Sequence, residues 1–499
     1  MCKSPTQLRK AKRGYCTRGN KGYYTREGNI ILNTLEKIKA AIKKNQVKHI
    51  DLRFTDLFGR WHNITLPASS LSKKLLNDGV GFDGSNFPGL SSIEEGDLSL
   101  IPDTSTAFLD PSRENPAITF IGRIVEADTK RPFDRDPRVI AEKADSLLKK
   151  HRIADLSMWG PEFEFYVFDE VSVTNENLSY GYGISPSEGL REGVFGLRPG
   201  RGYHAIPPED SLINIRDKIT GDLEEIGIMP RYHHHEVGSH GQMEIEIEFL
   251  PLVKAGDAGM ILKHLVRTTA ALNGKIATFM PKPIYGEPGS GMHFHQFLVK
   301  NGKSIFYSKR GYGGLSKLAD HYIAGLLKHA PALLAFTNPS TNSYKRLVPG
   351  FEAPVNSFYS LANRSAAVRI PKYATKADKK RIEFRTPDAT CNIYLAMAAQ
   401  LMAGIDGIRK KLDPGKEGFG PFDINIFDLP EKERQKIKPL PSSLSEALDE
   451  LEKDHDFLLE GGVFSKGLIT DWIDLKRNLE VNRVNSYTQP IEIELYLDC

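Results

Sequence analysis

The stretch PGSGMHFHQF, from Pro288 to Phe297, sets a tight Gly-Ser-Gly turn in front of a strand that alternates polar and apolar residues. In a strand, His293 and His295 project to one face while Phe294 goes to the other. A Gly-rich turn emptying into two same-face imidazoles can bring backbone amides and metal or phosphate ligands to one point. Three more stretches repeat the design with other charges. PEFEFYVFD carries Glu162 and Glu164, and HHHEVGSHGQMEIEIEF places Glu236 ahead of a turn. Beyond that turn Glu244, Glu246 and Glu248 share one face, and in RIEFRTPD so do Arg381, Glu383 and Arg385. Acidic residues are depleted from half-buried strands unless they are exposed or paired. Antiparallel strands with one wet face are the plainer reading. IEIELYL near the C-terminus alternates the same way, with Glu492 and Glu494, and carries no assigned chemistry. The recurrence of carboxylate, imidazole and guanidinium together favours a site. Oxygen ligands with one imidazole suit Mg²⁺ or Mn²⁺, and facing arginines suit phosphate.

A chain of 499 residues is long enough for a large core and two or more domains. No apolar run approaches the roughly 20 residues needed to span a bilayer, and no signal-peptide core is visible. Cys2, Cys16, Cys391 and Cys499 are scattered without metal-ligand spacing, which points to a reducing, cytoplasmic setting. Residues 1–28 hold eight Lys or Arg against Glu27, so this tail contributes +7 of a net +4 and the remainder carries −3. That balance excludes a nucleic-acid-binding body. The tail itself reads as disordered, with a transit or RNA-contacting arm as the functional alternatives.

From Gly28 to Lys44 the apolar spacing predicts an amphipathic helix. VKHIDLRF and WHNITLP flank an Asp/Gly turn as a hairpin, and SLSKKLLNDG reads as a helix. GFDGSNFPGLSSIEEGDLSLIPD reads as a long loop, ITFIGRIVEAD as a strand, and RPFDRDPR as a domain boundary. Long helices follow over Arg138–His151, Asp210–Ile226, Lys254–Phe279, Gly314–Ala335, Tyr394–Lys411 and Ser445–Leu459. The segment from Asn338 to Pro371 reads as a long loop holding Arg346, Glu352, Arg364 and Arg369, and loops of that length are usually lids or disordered. No Gly-x-Gly-x-x-Gly or Walker loop is present, so a nucleotide would bind by another scheme.

In order, GFDGS, PEFEF, HHHEV with GQMEIE, GSGMHFH, NSYKRLVPGFEAP, NRSAAVRIP and RIEFRTPD resemble the type I (bacterial and archaeal) glutamine synthetase family over roughly residues 29–499. The resemblance implies an α+β chain: a basic tail over 1–28, a β-grasp domain over 29–133, and a catalytic domain of curved antiparallel strands flanked by helices over 134–499. It implies a glutamate–ammonia ligase that joins glutamate and ammonium at the expense of ATP through γ-glutamyl phosphate. Two or more Mg²⁺ or Mn²⁺ per site are implied, as is a dodecamer of two hexameric rings with sites shared between neighbours. Neither nucleic acid nor membrane is among the implied partners.

Residue by residue, the resemblance gives Glu164, Glu236 and Glu244 to a first metal and Glu162, His293 and Glu383 to a second. His295 and Arg381 would contact ATP, and Arg364 the transferring phosphoryl group. Gly289, Arg346, Glu352, Arg369 and Arg385 would serve glutamate or phosphate. Asp83, from the neighbouring subunit, would bind ammonium and assist its deprotonation, and Glu352 would close over the intermediate. As a residue in a Gly-rich loop, Asp83 also fits a simple Asx turn.

Several positions depart from the family pattern. Asn86 stands where a serine near ammonium is usual, Pro288 replaces an asparagine beside glutamate, and Arg231 replaces a glutamate that assists metal and nucleotide binding. Phe297 and Asp378 fall where a serine and a lysine contact ATP, and Ser92 where feedback-sensitive members carry an arginine. Phe427 occupies the position of the tyrosine adenylylated in some members, and without a phenolic oxygen that modification is chemically impossible there. Asn86 and Pro288 leave open a sibling ligase that uses a larger amine, such as a polyamine or ethanolamine, and a catalytically silent homologue is the third reading.

Overall fold

The computed structural model describes residues 32–91, 96–176, 178–189, 196–350, 353–424, 426–435 and 437–499. The basic tail, Ser92 and Glu352 lie outside them.

The N-terminal sheet is built from near-neighbours in sequence. Its strands run in the order Trp61–Pro67, His49–Thr55, Ala117–Glu126, Asp97–Pro102, Val80–Asp83, with Phe108–Leu109 beside Ala117–Glu126. His49–Thr55 pairs antiparallel with its hairpin partner and parallel with Ala117–Glu126. The helix Leu35–Lys44 starts where the Thr34 hydroxyl accepts from the Lys37 amide, and it buries Ile38 and Ala41. Those residues join Ile50, Leu52, Phe120 and Leu100 in one apolar cluster. The Gly/Ser-rich stretch expected to be loop contributes the short strand Val80–Asp83 and a 3₁₀ turn over Gly84–Asn86.

The second sheet carries the polar strands. Its main path runs Tyr359–Leu361, Val368–Ile370, Ile382–Phe384, Phe294–Lys300, Leu156–Glu176, Gln242–Ile247, Pro230–His235. Adjacent strands along this path are antiparallel, except that Tyr359–Leu361 lies parallel to Val368–Ile370. Its apolar face gives Trp159, Phe163, Phe165, Ile245, Phe294 and Phe384 to the large core with the helices Leu252–Leu272, Lys317–Thr337 and Ile393–Lys410.

Four further expected elements differ. The segment from Asn338 to Pro371, expected to be loop, holds the helix Ser343–Arg346 and the paired strands Tyr359–Leu361 and Val368–Ile370. The helix expected to reach Phe279 ends at Leu272, and Ile276–Thr278 pairs as a strand against Leu156–Glu176. Gly274, at φ +67, supplies the left-handed turn between them. The expected helix Ser445–Leu459 breaks into Leu444–Lys453 and Asp456–Leu459 around Asp454. IEIELYL is the helix Pro490–Tyr496, because Pro490 opens a first turn and Gln489 with Glu492 forms a capping box.

Candidate active site

Strand register lines up the chemistry. Glu244 lies opposite Glu164, and Glu246 opposite Glu162. On the far side of Gln242–Ile247, His234 faces Glu244 and Tyr232 faces Glu246. His295 lies opposite Glu383, which also lies opposite Arg369. Side chains therefore converge on one sheet face from strands far apart in sequence, around a cavity of about 450 Å³. Glu248 falls past the end of its strand and is exposed, so it does not join Glu244 and Glu246.

Two groups of ligand atoms form there. Glu162, His295 and Glu383 bring one ligand atom each within 4.8 Å of the others, and so do His234, Glu236 and Glu244. Carboxylate oxygens with one imidazole in each group fit a hard divalent cation. The imidazole in the first group is His295, whose Nε2 donates to Glu162 at 2.6 Å. His293 stands next to it, with Nδ1 3.2 Å from Glu162 and 3.8 Å from both Glu164 and Glu383. Arg346 Nη2 lies 3.1 Å from His293 Nε2, so Nδ1 is the ring nitrogen that faces the carboxylates.

The electrostatics divide the acids. Burial, followed by the charges of Glu164 and Glu244, pushes Glu236 well above the usual carboxyl range. Burial, with Glu162 and Glu164, does the same to Glu244. Burial also opposes ionisation of Glu383, but the Arg385 guanidinium and its other cationic neighbours outweigh it and hold the pKa at about 2. Glu383 accepts from Arg369 at 2.5 Å and from Arg385 at 2.6 Å.

Arg346 is held by backbone, donating to the Thr386 carbonyl at 2.7 Å and the Arg385 carbonyl at 3.2 Å. Two glycines let the chain pass beneath it. A Cβ on Gly289 would meet Arg346 Cγ at 2.7 Å, and one on Gly291 would meet Arg346 Nη2 at 2.5 Å. The Gly291 amide donates to Glu164 at 2.7 Å. Arg364 lines the rim of the cavity over the Tyr203 ring, and Arg381 packs between the rings of Phe249 and Tyr373.

The sequence-read residues Glu162, Glu164, Glu236, Glu244, Gly289, His293, Arg346, Arg364, Arg369, Glu383 and Arg385 all line this cavity. His295 and Arg381 pack just behind it, and Asp83 is not brought to it within one chain. The Asp83 carboxylate accepts from the Ser85 hydroxyl at 2.6 Å, the Ser85 amide at 2.9 Å and the Asn86 amide group at 2.9 Å. The Ser85 hydroxyl, then its amide, hold Asp83 below the usual range. Sequence reading passed over Tyr203, Tyr232, His234, Gln242 and Tyr373, which also line the cavity. The histidine run was the available signal for His234; the others are single polar residues without a pattern.

A cation-ready acidic sheet face ringed by arginines defines a class of metal-dependent enzymes acting on anionic substrates. The glutamine synthetase catalytic-domain model matches residues 134–496, and the glutamine synthetase β-grasp model matches 46–127. Glutamine synthetase of Frankia alni is 45% identical over 472 residues, covering 93% of this chain and 99% of the relative. That of Mycolicibacterium smegmatis is 43% identical over 477 residues, with the same coverage. The cryo-EM structure of Plasmodium falciparum glutamine synthetase superposes with a TM-score of 0.84 at 29% identity, covering 94% of this chain and 99% of that one. The chain belongs to the glutamine synthetase family. Its activity is that of a glutamate–ammonia ligase driven by ATP.

Proposed function

We propose that one divalent ion, Mg²⁺ or Mn²⁺, is held by Glu164, Glu236 and Glu244, and a second by Glu162, His293 and Glu383, with His234 and His295 adjoining. The single observation that carries this is the pair of acid–imidazole groups at one arginine-lined cavity, five of whose six members line it while His295 packs just behind. Bound there, such ions supply charge neutralisation between anionic reactants.

The chain's own residues account for the rest. Glutamate's γ-carboxylate attacks the γ-phosphorus of ATP, forming γ-glutamyl phosphate and releasing ADP. Arg346, fixed by carbonyls and by His293, presents a preorganised cation to a substrate carboxylate, so little reorganisation is needed on binding. Arg364, at the rim, meets the transferring phosphoryl group, with Arg369 and Arg385 behind it; His295 and Arg381 sit toward the ATP. Ammonia then attacks the acyl carbon and phosphate leaves. Asp83, kept ionised by Ser85 and Asn86, accepts the proton that ammonium must lose in the site of an adjoining subunit. Glu352 closes the pocket.

A dodecamer of two hexameric rings follows from the same reading. It draws support from Asp83 lying away from its own cavity and from the apolar side chains of Ile491, Ile493, Leu495 and Leu497, each about half exposed or more. The division between a domain over 29–133 and one over 134–499 draws support from an apolar cluster built wholly within residues 32–133, while Leu57, Phe108 and Ile121 pack into the larger cluster beyond it. A cytoplasmic setting fits the free thiols of Cys391 and Cys499. Among the described residues no helix is long and apolar enough to cross a membrane.

The test is phosphate release from Mg-ATP with glutamate, comparing ammonium, methylamine, ethanolamine and putrescine at equal concentration. Release that depends on ammonium, with glutamine as product, is the expected result. Release only with an organic amine would overturn the assignment of ammonium to the pocket.

A further inference from the structure

Arg231 owes its position to a break in strand pairing. Between Pro230–His235 and Gln242–Ile247 the register runs in step from His235 opposite Met243 to Tyr232 opposite Glu246. It then slips, and Ile247 pairs with Pro230, leaving Arg231 without a partner in the ladder. Strict alternation would send Arg231 to the face opposite Tyr232 and Glu246. An extra residue of this kind re-aims a side chain. Here it brings the guanidinium round to Glu246, to which it is hydrogen-bonded through Nη1, and over the Tyr232 ring at 5.3 Å.

The two partners differ in exposure. The Glu246 side chain is 0% exposed, whereas that of Arg231 is 29% exposed and lines the cavity. A guanidinium carries five N–H donors, and among the described residues Glu246 is its one hydrogen-bond acceptor. The remaining donors are therefore available to an anion in the cavity. Position selects which anion. Glu246 lies opposite Glu162, in the row nearer His295 and Tyr373, not in the row of Glu164 and Glu244 that leads toward Gln242 and Gly289.

We propose that Arg231 binds the polyphosphate of the nucleotide, with buried Glu246 as the positioning residue that holds it. This rests on the reading of the cavity given above, in which ATP lies on the side of Glu162 and Glu383.

The experiment is calorimetric titration of the intact oligomer with ADP and with AMP, both in Mg²⁺, for the wild type, R231K, R231Q and R231Q/E246Q. R231Q alone strands a buried carboxylate, whereas the double variant removes both charges and keeps the fold testable by its thermal midpoint. Loss of a charge-assisted hydrogen bond predicts ADP binding weakened about tenfold or more in both R231Q and R231Q/E246Q. AMP, which lacks the outer phosphates, is expected to bind unchanged, and R231K to fall between. Wild-type ADP affinity in R231Q/E246Q would show that Arg231 only neutralises Glu246, and equal losses for ADP and AMP would place it away from the outer phosphates; either overturns the proposal. A wild type that fails to bind Mg-ADP overturns the nucleotide reading of the cavity itself. Normal wild-type binding with an unaffected double variant overturns only the role of the arginine.

Discussion

Glu164 and Glu244 sit directly opposite each other on adjacent antiparallel strands, with Glu236 close by. Like charges in that relationship destabilise a sheet, so the fold carries an electrostatic cost that a bound cation removes. E244Q is expected to stabilise the metal-free protein by on the order of 1 kcal/mol. A ligand that binds only the folded state at 100 times its Kd adds about 2.7 kcal/mol. Manganese should therefore raise the thermal midpoint of the wild type, and E244Q should lose most of that rise. Equal manganese shifts in both proteins would remove Glu244 from the ligand set.

Glu383 anchors two guanidiniums from a position fully out of solvent. Removing one member of a buried ion pair typically costs about 3–5 kcal/mol. E383Q should lower the unfolding midpoint accordingly and abolish glutamine synthesis. R369Q, which leaves the bond to Arg385, should cost less stability. A chemical-denaturation series on the three proteins checks the ranking.

His329 provides a pH-dependent tie far from the cavity. Its Nδ1 donates to Asp454 at 2.7 Å and its Nε2 to Asp406 at 2.9 Å, so both nitrogens carry protons. Burial opposes that charge, but the hydrogen bonds and charges of the two aspartates prevail and raise the pKa above the ordinary 6.5. A raised folded-state pKa means stability present in full below pH 6.5 and lost as pH rises through the higher folded value. H329Q should lose most stability relative to the wild type near pH 6, with the gap narrowing in alkaline buffer. Midpoints measured at pH 6, 7.5 and 9 decide it, and a pH-independent gap would contradict the charged imidazole.

Asp83 and Arg346 test the shared site by complementation. D83N and R346A homo-oligomers should both be inactive. In a symmetric ring of randomly mixed subunits, roughly a quarter of the sites pair an intact cavity with an intact aspartate. Co-expression should restore activity near that fraction, whereas a site contained in one chain would give none.

The sequence was most legible where side-chain period and burial agree. Glu162 and Glu164, His295 and Glu383 occupy strands that their alternation announced, and His293 stands immediately before the strand of His295. Alternation misled at Ile491–Leu497, where Pro490 and the Gln489–Glu492 box favour helix locally and, among the described residues, no strand pairs with the segment. Arg231 was legible only as a departure from a family pattern. A period of two assigns it to the wrong face, since the slipped register depends on the partner strand. Lysine-free, aromatic wall residues such as Tyr203 and Tyr373 carry no spacing signal, and only three-dimensional packing brings them to the cavity.

The central strand Leu156–Glu176 has its acidic neighbour at Gln242–Ile247, with Glu236 just ahead of that strand, while Arg346, Arg369 and Arg385 come far later in the chain. Because synthesis proceeds from the N-terminus and earlier segments begin folding first, the carboxylates emerge from the ribosome well before the guanidiniums that balance them. The growing chain thus passes through a stage in which Glu162, Glu164, Glu236 and Glu244 have been made while Arg346, Arg364, Arg369 and Arg385 have not, and Arg231 is the one cavity arginine already present. Until those later arginines are made, the acidic half of the cavity has a single guanidinium of its own to set against four carboxylates.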